Sequence, residues 1–422
     1  MITQFTGLVG IAVMIGVAWL MSENRKAIPW KMVGYASLMQ LVLGVFIAGI
    51  PALQFSGPLT PFFAAANDAI IASLAFVDKG SGFVFGPLTQ PEKIGDFIIA
   101  FKVLPTIIFF ASLMAVLYHY GVMQKIVNAF AWVMRRFLGT SGAESLSTAG
   151  NIFLGQTEAP LLVKPYIESM SRSEIMCVMV GGFANVAGGV LAAYVGMLVG
   201  LLPDIAGHLL TASVMSAPAT IVFAKIIVPE TRSPELAQGV SLSGKSIYTN
   251  GIDAAAHGAL EGTQLAITVG GMLIAFIALM AMGNGALGWL SDSTGLSQLL
   301  GSKLSLELML GWIFAPFAWM LGVSSEHMNF AGQLLGKKII LNEFVAYLDL
   351  AKNGQALDQR SALIMSYALC GFANIGSIAI QIGGIGGMAP SKKSELAALG
   401  VKAMLAGMFA SAMCGAIMGL LL

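Results

Sequence analysis

Charge is what this chain has least of: Asp, Glu, Lys and Arg together make up 10% of its 422 residues. A soluble domain carries about 25%, so a chain that is 57% hydrophobic and this poor in charge reads as an integral membrane protein. The formal net charge of +1 provides no basic surface, which excludes nucleic acid as a partner. Cysteine is scarce too. Cys177, Cys370 and Cys414 lie apart among apolar residues with no CxxC spacing, as small core residues do. None of the four histidines (His119, His208, His257, His327) stands at metal-ligand spacing from another ligand. His327 adjoins Glu326, a position that suits either a proton relay or a solvated helix end. With no paired metal-ligand histidines, no histidine placed to activate a serine and no ring-forming selectivity motif, an intramembrane enzyme and a passive channel both lack their residues. The run Gly383–Gly387 lacks the Lys-Ser/Thr of a phosphate loop and reads as a helix end. The 25 methionines need no explanation beyond packing.

What is abundant is long apolar sequence. A spanning helix needs about 20 mostly apolar residues. Eight stretches qualify, near 3–21, 33–51, 98–119, 174–200, 208–228, 262–290, 361–389 and 396–421. The first lacks a basic n-region and so reads as a retained span rather than a signal peptide. Two further stretches, around 139–169 and 324–350, are too polar for simple spans and fit re-entrant helical hairpins covered by protein or water. The segment 123–138 places Ile126, Phe130, Val133 and Phe137 on one face and its basic residues elsewhere, the pattern of an interfacial amphipathic helix. The apolar run 306–323, broken by Pro316, reads as a second interfacial segment, and 229–258 reads as a polar connector.

Arg25, Lys26 and Lys31 put the first loop in the cytoplasm. Lys125, Arg135, Arg136, Lys225, Arg232, Lys245, Lys392 and Lys393 then fall on the same side, whereas Lys337 and Lys338 oppose the scheme. An odd number of spans separates the two hairpins, so they enter from opposite faces as an inverted repeat. The sequence itself is duplicated. Glu144, Ala149-Gly150-Asn151, Glu158 and Gly182-Phe183-Ala184-Asn185 recur as Glu326, Ala331-Gly332-Gln333, Glu343 and Gly371-Phe372-Ala373-Asn374. Paired Gly-interrupted polar segments of this kind mark the binding site of a secondary transporter.

At the first hairpin's turn, Leu154-Gly155-Gln156-Thr157-Glu158-Ala159-Pro160, an amide, a hydroxyl and a carboxylate stand at membrane depth. They hold a polar ligand, or they satisfy one another in a structural turn. Glu343 is the corresponding acid of the second hairpin; it serves the ligand or pairs with Lys337 or Lys338. Asn185 and Asn374 lie inside apolar spans before small residues, where unwinding would expose carbonyls to a hard cation. A Gly-rich packing seam is the alternative.

The motifs Gly155-Gln156-Thr157-Glu158-Ala159-Pro160, Asn342-Glu343-Phe344-Val345-Ala346-Tyr347 and Cys370-Gly371-Phe372-Ala373-Asn374-Ile375-Gly376-Ser377 closely resemble those of the concentrative nucleoside transporter family, and the likeness runs the length of the chain. The resemblance implies an all-α fold of eight spans, two re-entrant hairpins and interfacial helices, assembled as a homotrimer. It divides the chain into scaffold helices with an interfacial helix (1–138), repeat one of the transport domain (139–228), a connector with a long scaffold span (229–323) and repeat two (324–422). It implies a non-enzymatic, cation-coupled nucleoside importer in a bacterial inner membrane, since the N-terminal extension of animal members is missing. It assigns Gln156, Thr157 and Glu158 to the nucleobase, with Val190 and Phe372 lining that end, and Glu343, Asn374 and Ser377 to the ribose hydroxyls. For sodium it points to the Asn151 side chain, the Leu154 and Val186 carbonyls and residue 185. Some members have Ser or Thr there; Asn185 also supplies a neutral oxygen. Proton-coupled relatives depart from Gln-Thr-Glu-Ala-Pro, which this chain keeps. A second departure lies at Gly322-Val323-Ser324-Ser325-Glu326, where many relatives have Pro after Gly-Val. The expected activity is therefore sodium–nucleoside symport, with proton coupling or another small polar solute as alternatives.

Overall fold

The computed structural model describes residues 2–50, 53–90, 98–231 and 248–422, with the side chains of 2–4 set aside; over these the chain is helical apart from one isolated bridge between Ile50 and Phe55. Among the described residues, seven helical stretches are long and apolar enough to cross a membrane: Trp30–Ala48, Thr60–Thr89, Ile99–His119, Arg172–Leu198, Ile205–Ile227, Gly251–Ser293 and Pro390–Leu421. Phe5–Leu20, Leu306–Met320 and Ile375–Met388 are apolar but shorter.

The α-helices of nine or more residues are α1 (Ile2–Leu20), α2 (Trp30–Ala48), α3 (Thr60–Phe85), α4 (Leu104–His119), α5 (Val122–Leu138), α6 (Gly142–Gly150), α7 (Arg172–Ala184), α8 (Gly188–Leu198), α9 (Ile205–Ile227) and α10 (Gly251–Ser293). They continue with α11 (Leu306–Met320), α12 (Met328–Ile340), α13 (Glu343–Asn353), α14 (Gln359–Leu369), α15 (Ile375–Met388) and α16 (Lys393–Leu421). The repeat is legible element by element. Helix α5, hairpin one, α7, a break, α8 and α9 are followed by α11, hairpin two, α14, a break, α15 and α16. The helices α5 and α11 that open the two series start 184 residues apart (306 minus 122).

Two expectations need correction. Helix α3 was not among the eight stretches, because Asn67, Asp68, Asp78 and Lys79 interrupt its apolar run; Asp78 accepts from Lys102 at 2.7 Å. The stretches 174–200 and 361–389 do break where unwinding at Asn185 and Asn374 was expected, with 185–187 and 370–374 non-helical. The connector ends earlier than position 258, since Asn250 caps α10 by accepting from the Ile252 and Asp253 amides (3.0 and 2.9 Å). Arg232, Lys245 and most of that connector lie outside the described residues.

The remaining features follow from local chemistry. In α5 the stripe Met123, Val127, Ala131, Met134 and Leu138 is buried, while Ile126 and Phe137 stay exposed. The helix is thus apolar toward the protein on one stripe and toward its surroundings on the next. Small residues let long helices meet closely: a Cβ on Gly262 of α10 would lie 2.8 Å from Ala111 Cβ on α4. Helix α9 over nearly its whole length and α16 from Ala403 onward are buried in the core.

Candidate functional site

Hairpin one begins with a capping box: the Ser141 amide donates to Glu144 Oε1 (2.7 Å) and the Glu144 amide to Ser141 Oγ (3.3 Å). Glu144 Oε2 also accepts from Lys225 Nζ at 2.6 Å, and both side chains are at most 3% exposed. The descending arm ends at Asn151. The return arm, Ala159–Ser169, is a 3-10 helix with Pro160 at its start and Pro165 within it. Proline removes an amide donor and clashes with the preceding turn, which disfavours a regular α-helix there. At the tip the Glu158 carboxylate folds back over Gly155, where a Cβ would displace it. Thr157 Oγ1 donates to Glu158 Oε1 (3.2 Å). Gln156 is buried, Thr157 half-buried and Glu158 exposed.

Hairpin two is made of α12 and α13. The Asn342 side chain caps α13 by accepting from the Val345 amide (2.9 Å), which places Glu343 in the first turn, 5% exposed. The sequence left open an ion pair between Glu343 and Lys337 or Lys338. The structure gives both lysines other partners. Lys337 pairs with Asp349 (2.7 Å), and the fully buried Lys338 donates to Ala368 O and Ser411 Oγ (both 2.8 Å). Both cations are tied into the protein, so they are not free loop charges, which are what the positive-inside rule counts. Glu343 accepts instead from Tyr194 OH (2.8 Å, Oε1) and Asn374 Nδ2 (3.2 Å, Oε2). His327 sits 3.5 Å from Asp358, beside the base of hairpin two.

The two GFAN segments are helix breaks, as their glycines suggested. Helix α7 ends at Ala184, Asn185 is extended, and α8 resumes at Gly188. Helix α14 ends at Leu369, and Asn374 caps α15 by accepting from the Ser377 amide (2.8 Å). The breaks touch: the Phe372 amide donates to Asn185 O at 3.2 Å.

Hydrogen bonds then join the repeats. Gln156 Nε2 donates to Ser377 Oγ (3.1 Å), and the fully buried Gln381 Nε2 donates to both Met179 O (3.1 Å) and Gln156 Oε1 (3.3 Å). A backbone carbonyl can only accept, so Met179 O fixes the Gln381 amide, and Gln381 in turn fixes that of Gln156. Of the expected residues, Gln156 is thereby joined to Ser377, Ser377 to Asn374 and Asn374 to Glu343. Val190 and Val186 are buried and Phe372 half-buried. Two participants went unread in the sequence. Tyr194 sits in an apolar run as core aromatics do, and Gln381 is a lone amide in a glycine-rich helix; the amide at membrane depth was the available signal.

Around Asn151 the donor set suits a small hard cation. Its Nδ2 donates to Ser147 O (3.1 Å), while its Oδ1 is buried and unpartnered among the described residues. Both polar atoms of the Asn185 side chain, 1% exposed, are unpartnered too, as is Thr220 Oγ1. Gly181 of α7 lies against both Asn151 and Thr220. Neutral oxygens left without donors at such depth are unfavourable unless something else binds them. Sodium accepts neutral-oxygen ligands of this kind.

Comparison with known proteins covers the whole chain. Residues 9–88 and 208–419 match models described as the N-terminus and C-terminus of a Na+ dependent nucleoside transporter, and 100–200 match a gate described as nucleoside recognition. An uncharacterised transporter of Haemophilus influenzae is 43% identical over 98% of this chain and 97% of its own. The nucleoside permease NupC of Helicobacter pylori is 39% identical over 98% and 96%. Human solute carrier family 28 member 3 is 38% identical over 99% of this chain, which spans 60% of that relative. Among solved structures, CNTnw in an inward-facing substrate-bound state superposes with a TM-score of 0.89 at 42% identity, covering 99% and 98% of the two chains. An outward-facing double variant of CNTnw superposes at 0.91, with 42% identity over 100% and 98%.

Proposed function

The chain belongs to the Na+ dependent nucleoside transporter family, and on that footing we propose that it is a sodium-driven nucleoside symporter working by alternating access. The observation that carries the reading is the buried chain of hydrogen bonds from Gln156 through Ser377 and Asn374 to Glu343. It brings the two hairpin tips and the second break to one place. Gln156, Thr157 and Glu158, with Val190 and Phe372, bind the base. Glu343, Asn374 and Ser377 hold the ribose. An ionised carboxylate accepting from vicinal hydroxyls makes charge-assisted bonds, the stronger kind.

Sodium is the coupling ion in this reading, supported by the unpartnered neutral oxygens of Asn151 and Asn185. It is held by those two residues and by the Leu154 and Val186 carbonyls. The protein acts as a homotrimer in a bacterial inner membrane, a setting supported by its similarity to transporters of Haemophilus influenzae and Helicobacter pylori. In each protomer the two repeats form a transport unit that moves against the scaffold helices, and CNTnw has been captured inward-facing, outward-facing and in intermediate states.

The test is radiolabelled uridine uptake into proteoliposomes under separate sodium and proton gradients. Accumulation driven by sodium alone is expected. Accumulation driven only by protons assigns the coupling to H+ instead, and competition by a dicarboxylate but not by uridine rejects the nucleoside.

A further inference from the structure

The Glu343 carboxylate is held from two sides by groups of different repeats. Asn374 Nδ2, from the second break, donates to Oε2 at 3.2 Å, and Tyr194 OH, from α8 of the first repeat, donates to Oε1 at 2.8 Å. The last torsion of a glutamate is broad and roughly two-fold, so one donor leaves the carboxylate plane free to rock. Donors on both oxygens select a single plane. Each donor is itself fixed. The Asn374 amide is oriented because its Oδ1 accepts from the Ser377 backbone N–H at 2.8 Å. The Tyr194 ring is fully buried, 4.3 Å from the Tyr347 ring at 30° and 5.7 Å from Phe344 in an edge contact.

A carboxylate offers about four lone-pair positions, two on each oxygen. Tyr194 and Asn374 occupy one each on different oxygens, which leaves one acceptor position per oxygen, side by side. That arrangement matches two adjacent hydroxyls on one ring. The clamp is built from the first repeat on one side and the second on the other.

We propose that Tyr194 is a positioning residue for substrate recognition: its hydroxyl fixes the Glu343 carboxylate so that the protein distinguishes a vicinal diol from a sugar lacking one of those hydroxyls. The proposal rests on the nucleoside reading above. Tyr194 touches the carboxylate and acts on substrate through it.

The test compares uptake of uridine, 2′-deoxyuridine and 3′-deoxyuridine by the wild type, Tyr194→Phe and Tyr347→Phe in proteoliposomes, with thermal unfolding in detergent as a check on folding. Tyr194→Phe keeps the stacked ring and removes only the donor. A hydrogen bond to a charged group is worth about 1.5–3 kcal/mol, so the uridine KM is expected to rise about tenfold or more in this variant. For at least one deoxynucleoside it should rise less than about threefold, narrowing the diol preference, with kcat little changed. Tyr347→Phe loses a hydroxyl that does not touch Glu343 and should keep the wild-type ratio. If Tyr194→Phe does not accumulate, Tyr194→Leu, which offers no hydrogen-bond donor, is read against the same ratio. Equal rises for all three substrates, no change for any, or the same narrowing in Tyr347→Phe would each overturn the proposal. A wild type that transports these nucleosides with no diol preference overturns it too while leaving the nucleoside reading intact; a wild type that transports none of them overturns both.

Discussion

The backbone amide of Phe372 donates to the carbonyl of Asn185 at 3.2 Å, so the two helix breaks, one from each repeat, bond directly to each other. Breaking a helix inside a membrane frees amides and carbonyls that lipid cannot satisfy. Here one repeat's freed carbonyl answers the other's freed amide. The approach is close enough to exclude a side chain: a Cβ on Gly371 would lie 2.7 Å from Phe183 O and 3.0 Å from Ala184 O. Neither obstacle is a flexible side-chain tip, so the crossing depends on glycine.

Gly371→Ala is therefore expected to separate the breaks. Overpacking of this sort costs about 1–3 kcal/mol, and the loss should appear as a lower unfolding temperature in detergent together with reduced uptake. Gly383→Ala is the control, since nothing lies within 4 Å of a Cβ added there; its stability should stay at or slightly above the wild-type value.

The buried pair Glu144–Lys225 makes a second prediction. Lys225 Nζ bonds both Glu144 Oε2 (2.6 Å) and Ser173 Oγ (3.0 Å), tying hairpin one to the end of α9 and the start of α7. Removing one partner strands a buried charge, at a cost of about 3–5 kcal/mol. Glu144→Gln and Lys225→Met should each destabilise strongly. The double variant Glu144→Gln/Lys225→Met should recover much of the loss, and a double-mutant cycle on thermal unfolding reads the coupling.

Much of this architecture was legible in the sequence, for reasons that particular residues make plain. Gly182 and Gly371 announced the breaks because glycine inside an apolar span costs helix stability. Glu158 and Glu343 marked the hairpin tips because a carboxylate at that depth must be satisfied by something. Helix α3 was missed because hydropathy counts Asp78 as a penalty whether or not it meets Lys102, 24 positions on. The partner of Glu343 was missed for the same reason. Tyr194 and Glu343 are 149 positions apart, and nothing local in Ala192-Ala193-Tyr194-Val195 distinguishes a donor from a core aromatic.

A third prediction concerns acid. Glu23, in the loop after α1, accepts from Arg172 through both oxygens (2.9 Å each) and from Lys402 (2.9 Å). The Arg172 bonds pull its carboxyl from 4.5 down to about 2, against the opposing effect of partial burial and with help from Lys402. A depressed carboxyl contributes stability that is full above its unfolded value and is lost as pH falls through the folded one. The contribution should fade between about pH 4.5 and about pH 2. The pair is partly exposed, so the effect is on the order of 1 kcal/mol or less and screened by salt. Thermal unfolding of Glu23→Gln should be lower than wild type at pH 7 in low salt and converge with it near pH 2.

Sodium dependence gives a fourth. If the unpartnered oxygens of Asn151 and Asn185 bind the coupling ion, Asn151→Ala removes a ligand and leaves the nucleoside site in place. The sodium concentration giving half-maximal uptake should rise about tenfold or more, from the loss of a single ligand worth at least about 1.4 kcal/mol, while uridine affinity at saturating sodium changes little. Asn185→Ser, which keeps a neutral oxygen, should lie between wild type and Asn185→Ala. An unchanged sodium response in Asn151→Ala and Asn185→Ala would remove both residues from the ion site.

Glu343→Gln isolates the carboxylate's charge from its shape. Wild-type Glu343 only accepts, from Tyr194 on Oε1 and Asn374 on Oε2. An amide must turn a donor toward one of them. Facing Asn374 it would meet another amide donor whose orientation is fixed by the Ser377 amide. It therefore turns its oxygen to Asn374 and its nitrogen to Tyr194, whose hydroxyl can reverse and accept. The fold survives, because no buried group is left without a partner. Recognition does not, because the side chain now presents one acceptor and one donor to the substrate, and both bonds lose their charge assistance. Losing charge assistance takes away about half of each bond, about 1.5–3 kcal/mol for the two together, which amounts to about tenfold to a hundredfold in uridine uptake. Unfolding temperature should remain close to wild type, and uptake retained at the wild-type level would exclude Glu343 from the diol-binding site.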